Sequence, residues 1–267
     1  MPHPERKERR FQARQRLILD HADRLLADEG YLGFNLDRLA DRIDYSKATI
    51  YNHFSSKEDL IGAVACRHFE ERADFFARAL VFPGRSRERM CCVGAADEIL
   101  ARTRPKSFPV AQLTRTHSIW EKLGKTTRAD FEAAARRCVE VGIRIIGEAR
   151  EAGDLPAGEE PLPDLESLAG LIALAKATYL PATEDSVFYH ALGDSPADCA
   201  FDFYNAYLDG IGWRPLSRDW DYAASRERAV AYLNAEPPPD PADDPAAHRT
   251  AHADEVRKTP SRHPARP

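Results

Sequence analysis

From about Arg9 to Leu233 the apolar residues of this chain recur every three or four positions, and no run alternates apolar with polar residues between turn signals. A chain patterned in this way buries one stripe of each segment and packs helix on helix, so the expected fold class is all-α. Glycine and proline punctuate the pattern at Gly30, Pro83-Gly84, Pro105 to Pro109, Gly124, Gly153 to Pro163, Pro181, Gly193 to Pro196 and Gly212 to Pro215. Helices are expected between those marks at 9–29, 36–43, 47–53, 57–80, 87–103, 109–123, 126–152, 164–179, 196–211 and 220–234. Beyond Ala235 the sequence turns to proline, aspartate and arginine with almost no apolar side chains to bury, and 236–267 is expected to be a disordered tail.

The length, 267 residues, exceeds what one core comfortably serves, so two unequal units are expected. No stretch approaches the roughly 20 consecutive apolar residues of a bilayer crossing, and the N-terminus lacks an apolar signal core, so a cytoplasmic protein without a membrane partner is expected. The net charge of -5 disfavours a protein that coats nucleic acid by bulk attraction. Local charge differs. Residues 1–16 hold Arg6, Lys7, Arg9, Arg10, Arg14 and Arg16 against Glu5 and Glu8, a basic arm on an acidic chain. Cys66, Cys91, Cys92, Cys138 and Cys199 show no paired zinc spacing. Buried thiols are the simple reading, with a redox role for the vicinal Cys91-Cys92 pair as the alternative. Neither a metal nor a cofactor is expected.

In the first helix Ile18, Ala22, Leu25 and Leu26 form an apolar stripe that Gly30 ends. Asn35 suits the N-cap of a second helix, barely two turns long, whose Leu36, Leu39, Ala40 and Ile43 lie on one face. Asp44-Tyr45 makes a short break, and Ser46 can cap a third helix from which Ile50, Tyr51 and Phe54 turn inward. Ser56 and Asp59 have capping-box spacing at the start of a fourth helix, which continues through Leu60, Ile61 and Val64 and can close a three-helix core. Lys47, Ala48, Thr49, Asn52 and His53 are left facing outward, short or polar groups on a helix of major-groove width.

The string from Leu39 to Phe54 followed by Ser56-Lys57-Glu58-Asp59-Leu60 resembles the helix-turn-helix and following helix of the TetR (tetracycline-repressor-like) family, with a close match from about Arg16 to Val64. The resemblance implies an all-helical fold of nine or so helices. It implies an N-terminal helix-turn-helix DNA-binding domain (1–68, with the basic arm) and a C-terminal helical ligand-binding and dimerisation domain (69–235). The function implied is a DNA-binding transcriptional regulator, a homodimeric repressor that a small-molecule effector releases from its double-stranded operator. Matched by position, Lys47, Ala48, Thr49, Tyr51 and Asn52 correspond to the residues that lie in the major groove. Asn35, Ser46, Tyr51, His53 and Lys57 correspond to those that hold the phosphate backbone. Two positions depart from the pattern. Asp44 stands where the family turn usually has glycine, although aspartate tolerates a left-handed conformation. Asp37 lies where an acid would repel phosphate unless it accepts from a cytosine amino group.

Past residue 80 only the architecture carries over. Leu113 to Trp120 mixes aromatic, aliphatic and polar groups on an expected inner helix, either a ligand cavity wall or plain core with a surface arginine. Leu113, His117, Trp120 and Tyr179 are the candidate pocket residues; Phe131, Phe188 and Tyr189, like Tyr179, are wall positions that suit plain core better. The helix at 196–211 carries apolar residues on more than one side, so with the small-residue helix at 164–179 it can form a dimer seam through Leu171, Leu174, Ala200, Tyr204, Tyr207 and Ile211; burial within the chain explains the same pattern. Catalysis is the rival from another class. His21, His53, His68, His117 and His190 could supply acid-base chemistry, but no nucleophile elbow, phosphate-cradling loop or metal spacing accompanies them, so the chain is not expected to be an enzyme. A ligand-independent DNA-binding structural or interaction protein with the same fold is the second rival.

Overall fold

The computed structural model describes residues 4–103, 110, 114, 116–156 and 196–235, and among them every regular element is helical. The helix expected at 164–179 and the tail from 236 lie outside the described residues. The described residues up to Tyr232 belong to one compact unit; the second unit begins at Leu233.

Helix α1 (Pro4–Gly33) starts five residues earlier than expected, through a stretch rich in good helix formers. Ile18, Leu19, Ala22, Leu25 and Leu26 are buried along one side. Gly30, at φ 68 and ψ -179, interrupts the helix where the sequence expected it to end, and one further turn follows. Helix α2 (Leu36–Ile43) is capped as its sequence requires, with Asn35 Oδ1 accepting the Asp37 N–H at 2.8 Å. Asp44 takes the left-handed conformation at φ 54, and the Tyr45 N–H closes the end of the helix on the Ala40 carbonyl at 3.0 Å. Helix α3 (Lys47–Tyr51) is shorter than the expected 47–53, since Asn52 already serves as its C-cap.

Helix α4 (Lys57–Ala77) belongs to two apolar cores. Its Leu60, Ile61 and Val64 close a cluster with α1, α2, Ile50 and Phe54, while Ala65, Cys66 and Phe69 build a second with Phe131 and Ala134 of α7 (Lys125–Glu151). The change of core falls between Val64 and Ala65. Gly62 lets α7 come close: a Cβ there would stand 2.5 Å from Leu123 Cδ2 and 3.2 Å from Thr127 Cγ2. A 3-10 turn (Arg78–Val81) leads to α5 (Ser86–Thr103), which pairs its Asp97 with Arg72 of α4 at 2.6 Å, both nearly buried. Of the helix expected at 109–123, the single turn α6 (His117–Trp120) is described.

Helices α8 (Pro196–Gly210) and α9 (Tyr222–Asn234) follow. The segment between them is held by Arg87 of α5, whose guanidinium is fully buried. It donates to the carbonyls of Trp213 (2.6 Å), Pro215 (2.8 Å) and Asn205 (3.1 Å), pairs with Asp209 at 2.6 Å and lies over the Tyr222 ring. Each of those acceptors offsets part of the cost of taking the charge out of water.

A non-glycine residue in the left-handed region carries a steric cost, so Asp44→Gly should stabilise the protein by about 0.5–1 kcal/mol, raising the melting temperature by roughly 1–4 °C. Thermal unfolding followed by circular dichroism checks this; an unchanged or lower midpoint means that the Asp44 side chain contributes more than its strain costs.

Candidate nucleic-acid interface

The outward side of α3 is built on a rigid base. Ile50 and Phe54 anchor it, Ser46 Oγ accepts the Thr49 N–H at 3.2 Å, and the left-handed Asp44 sets its angle to α2. Lys47, Ala48 and Asn52 are exposed, Thr49 is half-buried and Tyr51 is 50% exposed, against the inward position expected for it. Asp37, the residue whose charge sat badly with a phosphate partner, is answered within the chain: Lys47 Nζ lies 2.7 Å from its Oδ1, and that hydrogen bond raises the ammonium's pKa. Both groups are in water, so the pair is easily traded for another partner.

Four of the residues matched to phosphate contacts have work inside the chain. Asn35 and Ser46 spend their oxygens as N-caps of α2 and α3; both remain exposed, and the Asn35 amide N–H groups are left for another acceptor. The Lys57 ammonium donates to the Phe34 carbonyl at 2.7 Å and the Tyr31 carbonyl at 3.3 Å and lies over both rings, because the end of α1 presents carbonyls that need donors. His53 is a correction to the sequence reading. It does not face out: its ring stacks on Phe11 of α1 at 4.1 Å, and both ring nitrogens are buried with no hydrogen-bond partner. Burial, then the nearby Arg14 charge, lowers its pKa, so the ring is neutral at pH 7.

Beneath α3 lies a joint that the sequence did not reveal. Asp59, 5% exposed, accepts at Oδ2 from the N–H and hydroxyl of Ser55 (both 2.8 Å) and at Oδ1 from the Gly124 N–H (2.9 Å); Thr127 adds a side-chain hydrogen bond. Burial pushes the carboxyl up, but the donors outweigh it and leave its pKa below the ordinary value. Beside it Ser56 Oγ accepts the Asp59 N–H at 2.9 Å and donates to the Lys122 carbonyl at 3.1 Å, and Lys122 reaches Glu58. The capping-box spacing signalled the cap; the ties to Gly124 and Thr127, more than sixty residues away, carry no local signal.

Of the candidate cavity wall, His117 is corrected: it is on the surface, paired with Glu121 at 2.9 Å, because the turn that carries it buries Ile119 and leaves the imidazole in water. Trp120 packs edge-on against Phe131 and under Arg128 at the margin of the second core, and Phe131 is core. Leu113, Tyr179, Phe188 and Tyr189 lie outside the described residues, as do Leu171 and Leu174. On α8 the expected seam residue Tyr204 is half-buried beside Cys91, Arg87 and Asp97, and burial pushes its phenol upward. Ala200, Tyr207 and Ile211 are half-buried, whereas Phe203 is 65% exposed. Cys91 and Cys92 are buried free thiols, and burial pushes Cys92 to about 12, where no thiolate forms at neutral pH. Among the described residues no group of His, Cys, Asp and Glu is placed to hold a metal ion, and no helix is long and apolar enough to cross a membrane.

Residues 18–64 match the profile of the bacterial regulatory proteins, tetR family. The chain is 36% identical over 85 residues to the HTH-type transcriptional activator FasR of Mycolicibacterium smegmatis, a match that covers 32% of this chain and 36% of that relative. It thus spans little more than a third of the relative's length. Among solved structures, a tetR-family regulatory protein from Rhodococcus RHA1 superposes with a TM-score of 0.55 at 20% identity, covering 74% of this chain and 97% of that one. Reduced NemR from E. coli gives 0.52 at 19% identity, covering 75% and 98%. These structural likenesses extend the shared all-helical fold well beyond the matched module.

Because the folded Asp59 carboxyl has a depressed pKa, its contribution to stability is complete above the unfolded value near 3.9 and is lost as pH falls through the folded value. Asp59→Asn should therefore cost about 1–3 kcal/mol at pH 7, and the gap to the wild type should begin to narrow below about pH 4 and close only as pH falls through the folded value. Urea titrations from pH 7 down through the acid range measure it; a gap that stays constant throughout would mean that Asp59 acts through shape and not through charge.

Proposed function

We propose that this chain, whose residues 18–64 match the bacterial regulatory proteins of the tetR family, is a sequence-specific regulator of transcription, a repressor that a small-molecule effector releases from operator DNA. One observation carries the reading: a short helix, pinned by two buried anchors and a side-chain cap, presents Lys47, Ala48, Asn52 and Tyr51 to solvent. Lys47, Ala48, Thr49, Tyr51 and Asn52 read base edges in the major groove, with Asn35 and Ser46 at the flanking phosphates. His53 and Lys57 support this surface from behind. Asp37 holds Lys47 until a base or phosphate takes it over.

The domain division near residue 68 is supported by the passage from one apolar core to the other along α4. The chain acts as a homodimer, for which the exposed Phe203, with the exposed Ala206 and Gly210 on the same side of α8, supplies an apolar face. Effector binding in the second domain acts on DNA through α4, the element common to both cores. A second reading, activation in place of repression, has the partial match to an activator in its favour. The two differ in whether transcription from a bound promoter falls or rises.

Selection of bound duplexes from a random library should enrich a palindrome with half-sites about one helical turn apart. Lys47→Ala should then lose roughly 5- to 150-fold in affinity, mostly at one base position of each half-site. No enriched motif would sink the reading, and equal weakening on every sequence would make Lys47 a phosphate contact. An effector that releases the DNA must bind the free protein more tightly than the operator complex by the same factor by which it weakens operator binding, about 5- to 150-fold. Calorimetric titration of both forms decides this, and equal affinities would leave a ligand-independent DNA-binding protein.

A further inference from the structure

The first four turns of α1 have no structural reason to exist. The first buried residue is Ile18, so the helix from Pro4 runs about 21 Å beyond the core it serves, and every residue described there from Glu5 to Arg14 is exposed. A solvated helix of that length is marginal in water unless something holds it. Two contacts hold this one, and both belong to the DNA-facing module. Phe11 stacks on His53 at the C-terminal side of α3, and the Arg14 guanidinium lies 5.6 Å above the Tyr45 ring at its N-terminal side. Helix α1 is thereby laid across both ends of α3, and residues 5–10 continue past it.

The charge on this arm is net positive. Glu5 is taken by Arg9, and Glu8, which keeps its charge, accepts from Gln12 at 2.8 Å. Among the described residues, Arg6, Lys7 and Arg10 pair with no carboxylate. Helical spacing sets Lys7 and Arg14 on the side of Phe11, with Arg10 at its edge. Three cations held free of partners, in a chain whose net charge is -5, constitute a local anion-binding surface beside the helix that faces DNA.

We propose that the N-terminal extension of α1 is a second DNA-binding element, in which Arg6, Lys7 and Arg10 neutralise phosphates flanking the base pairs read by α3, while Phe11 and Arg14 position the arm. The proposal rests on the DNA-binding reading above. It gives His53 its role as well: the imidazole is a platform for Phe11. The arm adds affinity and salt dependence without adding base preference, since guanidinium and ammonium groups on phosphates carry no sequence information.

The test uses the full chain and a mixed-sequence 40-base-pair duplex, with affinity measured by fluorescence anisotropy across a potassium chloride series. Arg6→Ala/Lys7→Ala/Arg10→Ala should make the slope of log affinity against log salt shallower by about 2 to 3 per bound chain, at about 0.9 for each phosphate that is no longer neutralised. The motif selected from a random library should not change, nor should the melting temperature, because the replaced side chains lie in solvent. Phe11→Ala keeps the charges but loosens the arm, so its slope should match the wild type while affinity at fixed salt falls several-fold. An unchanged slope in the triple variant overturns the proposal and leaves α3 as the DNA contact. A changed motif overturns it too, by making the arm a reader of bases. Failure of the wild type to bind any duplex overturns both the arm and the DNA-binding reading.

Discussion

Asp59 is a carboxylate buried at the point where three segments meet, and burying it without partners would cost several kcal/mol. The cost is offset because the turn after α3 and the start of α7 both aim donors at it from either side of the first turn of α4. Remove the charge and each segment is left with a donor that water cannot easily reach. This interaction fixes the angle between α3 and α4 and fastens α4 to α7 at the end nearest the recognition surface. The rest of the site depends on that fastening. The Gly62 contact with Leu123 allows the approach, Ser56 and Glu58 reinforce it through Lys122, and the two apolar cores can then share one helix.

What was legible in the sequence is what chemistry makes local. The stripe from Ile18 to Leu26, the caps at Asn35, Ser46 and Ser56, and the tolerance of Asp44 for a left-handed backbone are each properties of a few neighbouring residues, and all stand in the structure as the sequence suggests. What was not legible concerns side chains whose partner comes from a distant segment. The partners of Lys57 were hidden because the carbonyls that claim it lie at the end of α1, and His53 looked exposed because Phe11 is more than forty residues away. His117 failed for another reason: a mixed apolar and polar segment has no period strong enough to choose a side, and its short turn left the imidazole in water. For Tyr204 the sequence left a dimer seam and burial within the chain both open, since α8 is apolar on several sides and which side meets its own chain is a tertiary matter.

Electrostatics resolve an apparent conflict between an acidic protein and an anionic partner. Net charge sets the field at long range, but within a Debye length of roughly 8–10 Å the arrangement of individual groups dominates. On the α3 side Asp37 is covered by Lys47, and on the arm Glu5 is engaged by Arg9. On the DNA-binding reading, an acidic chain with a basic arm would approach DNA in a preferred orientation, which disfavours unproductive encounters through its other faces.

The geometry of α4 explains how a small change in the second core can matter to a DNA contact. Its 21 residues make a rod of about 31 Å, with the Asp59 joint at one end and Phe76 buried near the other. A tilt of only about 5° about the far end displaces the joint by roughly 3 Å. Hydrogen bonds hold over only a few tenths of an ångström, so the Ser55 and Gly124 contacts cannot stretch to absorb such a shift. Either they break together or the turn that carries α3 moves with α4. Packed interfaces choose between discrete arrangements and do not deform smoothly, so the four donors on one carboxylate make the second outcome the cheaper. A joint of this kind turns a gradual rearrangement in one core into a rigid displacement of the other, which is the property a two-state regulator requires.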